Sequence, residues 1–322
     1  MSSPHLMGGA IPLQQPAAPA GTGDFPYPAG TNCRYVNCGR AALRLILQHL
    51  PTAPARVWIP RFVCDTVAEA PASLGLPVLR YSITEQLHPI LPHELRENDV
   101  LVLVNYFGLT AAAMEEAARA CPCPVVADAT TALYSPAPQG IPAFYSPRKF
   151  AGLADGGIAV APFPLAADLP EDAGSDHRTA ALLLDASPQR VQEAEDALCA
   201  IPKNMGAVTQ RLMLSTPWAE YATRRIRNYH CLHRSLQHIN RLSLPQNPQH
   251  APMCYPLVCG IPGLRDSLID AGVRLPLYWP EVIEATDATQ TENKLARTLL
   301  PLPLDQRYTP EDMERLVELI LN

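Results

Sequence analysis

The chain has 322 residues, 48% of them hydrophobic and 17% charged, with a formal net charge of -6. This composition supports a sizeable buried core and excludes intrinsic disorder. The acidic balance argues against a general nucleic-acid binder, which would carry a basic face.

The length allows one large domain and a smaller one. Nine cysteines at irregular spacing, with no signal-peptide pattern at the start, point to a reduced, cytoplasmic protein. Cys121 and Cys123 flank Pro122 and lack a second Cys/His pair at ligand spacing, so no metal site is expected. No apolar run reaches transmembrane length without a proline or a charge, so no membrane partner is expected either.

Residues 1–32 are rich in Pro, Ala and Gly and read as an extended N-terminal arm. AALRLIL at 41–47 predicts a helix opening near Gly39. Val57-Trp58-Ile59, closed by Pro60, predicts a strand, and residues 66–74 a helix stopped by Gly75. Residues 78–81 read as the next strand. VLVLV at 100–104 is the near-continuous apolar run of a strand covered on both faces. An Ala-rich helix over 111–121 precedes a strand at 125–127 that ends at Asp128, and short strands follow at 143–146 and 158–161.

Strands alternating with helices predict an α/β domain with a mostly parallel sheet, here residues 33–200. Functional groups in such sheets gather at the carboxyl ends of strands, where Asp128, Ser146 and Lys149 fall. Residues 201–322 read as a helical linker and a small C-terminal domain. Helical periodicity runs over 189–199 and 207–242. A Pro-rich stretch then leads to a strand at 255–259, a helix at 263–271 and a last helix opened by Thr309-Pro310-Glu311-Asp312.

Three segments carry chemistry. Asn37-Cys38-Gly39-Arg40 opens a helix whose free N–H groups suit a phosphate, although a Gly there is more often only a turn residue. VVADATT at 125–131 ends a buried strand on a carboxylate, which is costly without a cationic partner such as a protonated pyridine nitrogen; a loop carboxylate is the plainer reading. SPRKFAGLADGGI at 146–158 holds Lys149 between two strands, where desolvation makes a lysine a usable nucleophile and where a solvated loop lysine is the alternative. Arg148 reads as either a surface or a phosphate-facing residue.

Taken in order, CGRAAL, VWIPRFVCDTV, NYFG, ADATTAL, SPRKFAGLADGG and LPLDQRYTPEDMERLVELI resemble the DegT/DnrJ/EryC1/StrS group of sugar aminotransferases, which have the fold-type-I architecture of enzymes dependent on pyridoxal 5′-phosphate (PLP). The resemblance implies that Lys149 holds the cofactor as a Schiff base and shuttles protons, while Asp128 pairs with the pyridinium nitrogen. It implies that the Gly39 and Arg40 amides and Ser146 hold the phosphate. Thr131 stands where the family has a Gln or His near the phenolic oxygen, and Cys64 where an aromatic stacks on the ring, with Phe62 as a possible substitute. Asn204 corresponds to a residue reaching the phosphate from a second subunit. The implied reaction moves an amino group from an amino acid donor to a keto sugar, nucleotide-linked, in a homodimer. Elimination, dehydration or aldol cleavage with PLP, or a catalytically weak binding protein on the same fold, are the alternatives. His230, His233 and His238 share a helical stretch without a ligand-patterned carboxylate and read as a solvated or interface face.

Overall fold

The computed structural model describes residues 7–13, 24–185 and 187–322. The remainder of the expected N-terminal arm lies outside the described residues. In chain order the first elements are β1 (Met7–Gly8), β2 (Cys33–Val36), α1 (Gly39–His49) and β3 (Arg56–Pro60). Where one helix was expected over 66–74, a 3₁₀ turn (Asp65–Ala68) leads into the single-turn α2 (Glu69–Ala72), and Gly75 at φ 71° ends the segment. Next come β4 (Val78–Tyr81), β5 (Asp99–Val104), α3 (Ala111–Ala120), β6 (Val125–Ala129), β7 (Ala143–Tyr145), α4 (Arg148–Ala151) and β8 (Gly157–Val160).

These strands form one seven-stranded sheet, ordered β2-β8-β7-β6-β5-β3-β4. The run from β7 to β4 is parallel throughout, and β8 and β2 add antiparallel pairings at one edge. The apolar strand β5 is buried at all six positions, as its sequence requires. The helices α5 (Ser175–Leu184), α6 (Pro188–Asp196), α7 (Ala207–Ser215) and α8 (Trp218–Leu236) follow. The periodicity expected to continue over 207–242 is broken between α7 and α8 at Thr216-Pro217, because proline cannot donate within a helix.

The chain closes with β9 (Tyr255–Leu257), α9 (Leu264–Asp270), β10 (Val273–Arg274), α10 (Pro280–Ala285), α11 (Thr291–Thr298), β11 (Leu300–Leu302) and α12 (Pro310–Leu321). The Thr309 hydroxyl accepts from Asp312 N–H while the Asp312 carboxylate accepts from Thr309 N–H, a capping box that starts α12 as its sequence predicts. Two cores result. The larger fills both faces of the sheet and extends to Trp218, Trp279 and Leu295; the smaller joins Tyr229, Leu232 and Leu236 of α8 to Tyr255, Leu268, Leu302 and Leu316, with Met7 of β1 added through its pairing with β10. His233 is buried in this second core, stacked on Tyr229 at 5.3 Å between ring centres, so it is neither solvated nor at an interface. Among the described residues no helix is long and apolar enough to cross a membrane.

The end of the sheet away from the strand carboxyl termini is held by Asp99. Its carboxylate accepts from Arg56 Nε at 2.8 Å and Nη2 at 2.6 Å, from Trp58 Nε1 at 3.0 Å and from Arg96 N–H at 3.0 Å. The Arg56 bonds hold the Asp99 pKa below the usual carboxylate value against the cost of burial. A depressed folded-state pKa gives stability that is present above about pH 4 and lost as pH falls through the folded pKa. Asp99→Asn should therefore lower the neutral-pH melting temperature by several degrees, with the gap to wild type closing in acid melts. A gap independent of pH would reject this account.

Candidate active site

Parallel strands turn their carboxyl ends to one rim, and β6 brings Asp128 there, 1% exposed. Asp128 Oδ1 accepts from Thr130 N–H at 2.9 Å, a local turn that keeps the carboxylate aimed along the strand end. In the connection between the antiparallel neighbours β7 and β8, α4 carries Lys149, whose Nζ donates to Thr130 Oγ1 at 3.3 Å. The two charged groups thus meet through Thr130 and form no direct ion pair. Burial pushes the Asp128 pKa above the usual carboxylate value, and the positive charge of Lys149 offsets part of that. Burial likewise pulls the Lys149 pKa below the ordinary lysine value, against the opposing field of Asp128. A depressed ammonium pKa raises the fraction of free amine near neutrality, which is what a carbonyl-capturing lysine needs.

The start of α1 adjoins this pair. Its N-cap, Cys38, makes no side-chain capping bond, so the first-turn N–H groups of Gly39 and Arg40 keep their donor character. A methyl group on Gly39 would lie 3.1 Å from Thr130 Cγ2 and 4.0 Å from Ser146 Cβ, so the helix opening, the Asp128 loop and the Ser146 turn converge. Ser146 is 2% exposed and its Oγ is buried without a hydrogen-bond partner. An uncapped helix start beside an orphaned buried hydroxyl is the donor set a phosphate requires.

Gly157 shapes that opening from below: a methyl group there would sit 2.1 Å from Cys38 O and 2.7 Å from Gly39 N. Gly157→Ala must displace the α1 start. Since an ångström of misplacement costs about 10²-fold in a positioned reaction, phosphate-ligand affinity and turnover should both drop steeply while the fold persists. Unchanged affinity in a binding titration would show that the α1 start is not the seat.

The other expected residues divide. Cys64 lies close enough to Lys149 for each to bear on the other's ionisation; burial pushes its thiol up, and its Sγ is 3.1 Å from Thr66 Oγ1. Phe62 does not substitute for it, being wholly buried against Trp279 at 4.9 Å and Tyr106 at 5.7 Å. Thr131 is adjacent to the cluster but its hydroxyl is engaged elsewhere, donating to Asn105 O at 3.2 Å and accepting from Phe107 N–H at 3.1 Å. It anchors the turn at Phe107, a non-glycine residue at φ 58°. Thr130, which the motif reading passed over, is the threonine that touches both Asp128 and Lys149.

Asn204 is not brought to the cluster within its own chain. It bridges to Val36 on the outer side of edge strand β2 and donates to Leu169 O at 2.9 Å and Glu171 Oε1 at 2.8 Å. There it lines an open groove of about 600 Å³ with Arg34, Tyr35 and Gln210. The Arg40 side chain turns away to Glu69 at 2.9 Å, leaving only its backbone amide for the site.

A second residue missed in the sequence is Glu195 of α6. Its carboxylate pairs with both terminal nitrogens of Arg148, and although burial opposes its charge, Arg148 holds its pKa at about 2. The carbonyls that end this segment meet the α1 opening: Arg40 Nη2 donates to Leu198 O at 3.3 Å and Asn37 Nδ2 to Cys199 O at 3.2 Å. A hollow of about 180 Å³ at the ends of β3 and β4 is lined by Arg61, Asp65, Arg80 and α10. Among the described residues no group of three or more His, Cys, Asp or Glu is disposed to hold a metal ion.

No sequence-family model matches the chain, and no curated protein matches it in sequence. Solved structures match it in fold. AtS13 from Actinomadura melliaura aligns over 99% of this chain and 99% of its own at 15% identity, with a TM-score of 0.69. The sugar aminotransferase CalS13 from Micromonospora echinospora aligns over 90% of this chain and 86% of its own at 19% identity, with a TM-score of 0.65. A DegT DnrJ EryC1 StrS aminotransferase from Brucella abortus aligns over 89% and 84% at 14% identity, with a TM-score of 0.61. Across nearly its whole length the chain shares the fold of these structures, the fold-type-I architecture that its motifs resemble.

Proposed function

We propose that the protein is a PLP-dependent aminotransferase that moves an amino group from an amino acid to a keto sugar, the sugar being carried on a nucleotide. The observation that carries this reading is the meeting of Lys149 and Asp128 on Thr130, beside an uncapped helix start and the unpartnered Ser146 hydroxyl. The fold similarity to sugar aminotransferases supports the acceptor class. The hollow at the strand ends supports an anionic carrier through Arg61, since its other guanidinium, Arg80, is already paired with Asp65 at 2.6 Å.

The residues present fit the cofactor. The Gly39 and Arg40 amides with Ser146 Oγ would hold its phosphate. Asp128 would face the pyridine nitrogen, its own burial cost relieved by that cation. Cys64 would lie along the ring. When bound, the cofactor supplies the electron sink for the bond broken at the donor's Cα. Lys149 would hold it through its amine and would carry the proton at the donor's Cα. Thr130, whose hydroxyl accepts from that amine at 3.3 Å, would keep it in place. A second copy of the chain would complete the site by placing its own Asn204 at the phosphate, and the groove along β2 is the surface that presents Asn204.

The test is a spectrum of the purified protein with PLP, then a screen of amino donors with keto-sugar nucleotides. Bound-cofactor absorbance that a donor bleaches, with free pyridoxamine phosphate formed, supports the reading. Bleaching without pyridoxamine phosphate redirects it to elimination or aldol chemistry. Absence of binding leaves the fold without the cofactor and rejects it.

A further inference from the structure

Two buried donors beside the α1 opening have no partner: Ser146 Oγ and Arg148 Nε. Arg148 stands on the turn between Ser146 and Lys149. Its side chain is 13% exposed, and both terminal nitrogens are fixed by the Glu195 carboxylate, Nη2 at 3.0 Å from Oε1. Pairing through that end of the fork leaves the Nε–H edge unused. A methyl group on Gly156 would lie 3.8 Å from Arg148 Cγ, and Gly156 N–H donates to Asn37 O at 2.7 Å, so the Arg148 side chain runs beside the segment that opens α1. A buried guanidinium N–H without an acceptor is destabilising, and an anion at the helix start relieves it.

We propose that Arg148 is a further binding residue for the cofactor's phosphate, donating its Nε–H beside Ser146 while Glu195 holds the guanidinium in register. The proposal rests on the PLP reading above and adds to it a charged ligand for the phosphate. The Glu195 pairing also explains why an arginine is tolerated one residue from Lys149: the carboxylate cancels a neighbouring positive charge that would otherwise depress the lysine further.

The experiment compares two ligands that differ only in the phosphate. PLP and pyridoxal are titrated by absorbance into wild type, Arg148→Gln and Arg148→Lys, with circular-dichroism melts confirming that each variant is folded. Arg148→Gln should weaken PLP binding about tenfold or more, the loss of one charge-assisted hydrogen bond, and leave pyridoxal within about twofold of wild type. Arg148→Lys, which keeps the charge and loses the fork, should show a smaller loss confined to PLP. Equal weakening of both ligands would mean that Arg148 acts only by supporting the turn, and an unchanged PLP affinity would mean that it does not touch the phosphate; either result overturns the assignment. If wild type binds neither ligand, the PLP reading itself fails and this proposal falls with it.

Discussion

Lys149→Ala should abolish amino-group transfer, with a loss of about 10⁴-fold or more, because in the proposed reaction one amine would serve both as the covalent anchor and as the proton carrier. Borohydride reduction of wild type with PLP, followed by peptide mass spectrometry, should find the pyridoxyl group on Lys149. The alanine variant should bind PLP only reversibly and yield no adduct. An adduct on another lysine, or full turnover in the variant, would remove Lys149 from the mechanism. Burial also sets a pH signature. Since burial pulls this ammonium below the ordinary lysine value, the rate of covalent capture should rise with pH and level off below about 10.4. The linkage to stability has a definite sign. Between the folded pKa and the unfolded one the unfolded chain holds the extra proton, so wild type gains stability as pH rises through that window. Lys149→Met should accordingly be the more stable protein at neutral pH, with an advantage that shrinks in alkali.

Asp128→Asn is the second large effect. The amide retains an oxygen for Thr130 N–H, so the turn persists, while the charge proposed to keep a bound ring nitrogen protonated is lost. Turnover should fall by about 10²- to 10⁴-fold. Stability of the cofactor-free protein should move the other way. Burial raises the Asp128 pKa in the folded state. Below the unfolded value of about 4 the carboxyl is neutral in both states and costs nothing. As pH rises through the folded pKa the buried charge appears, and wild type loses stability that the asparagine variant keeps. Thermal melts across that range should show the variant level with wild type in acid and above it at neutrality. Near-wild-type turnover would sink the electron-sink role.

The sheet was legible because its strands are short apolar runs closed by turn residues: 57–59, 78–81, 100–104, 125–127 and 143–146 each correspond to an observed strand. Asp128 and Lys149 were legible as charges where a buried strand end and a short turn between two buried strands make charges expensive. Choosing between Thr130 and Thr131 was not possible from their order alone. The decision depends on Phe107, whose positive φ draws the Thr131 hydroxyl to the neighbouring backbone. Glu195 was invisible for another reason. The periodicity over 189–199 predicts its helix but not what the polar side of that helix meets, and only the fold carries the end of the helix back to the α1 opening. The break at Pro217 shows the converse: apolar spacing persists across α7 and α8, while the backbone cannot.

Phe150, next to Lys149, is gripped from the C-terminal unit. Its carbonyl accepts from Gln306 Nε2 at 2.8 Å, its ring carries the Arg225 guanidinium at 4.9 Å, and Arg225 Nε in turn donates to Gln306 at 3.1 Å. A shift of Arg225 or Gln306 would therefore tug on the very backbone that presents Lys149. A change that slackens this grip, such as Gln306→Ala, should loosen the seat of the lysine without touching its amine.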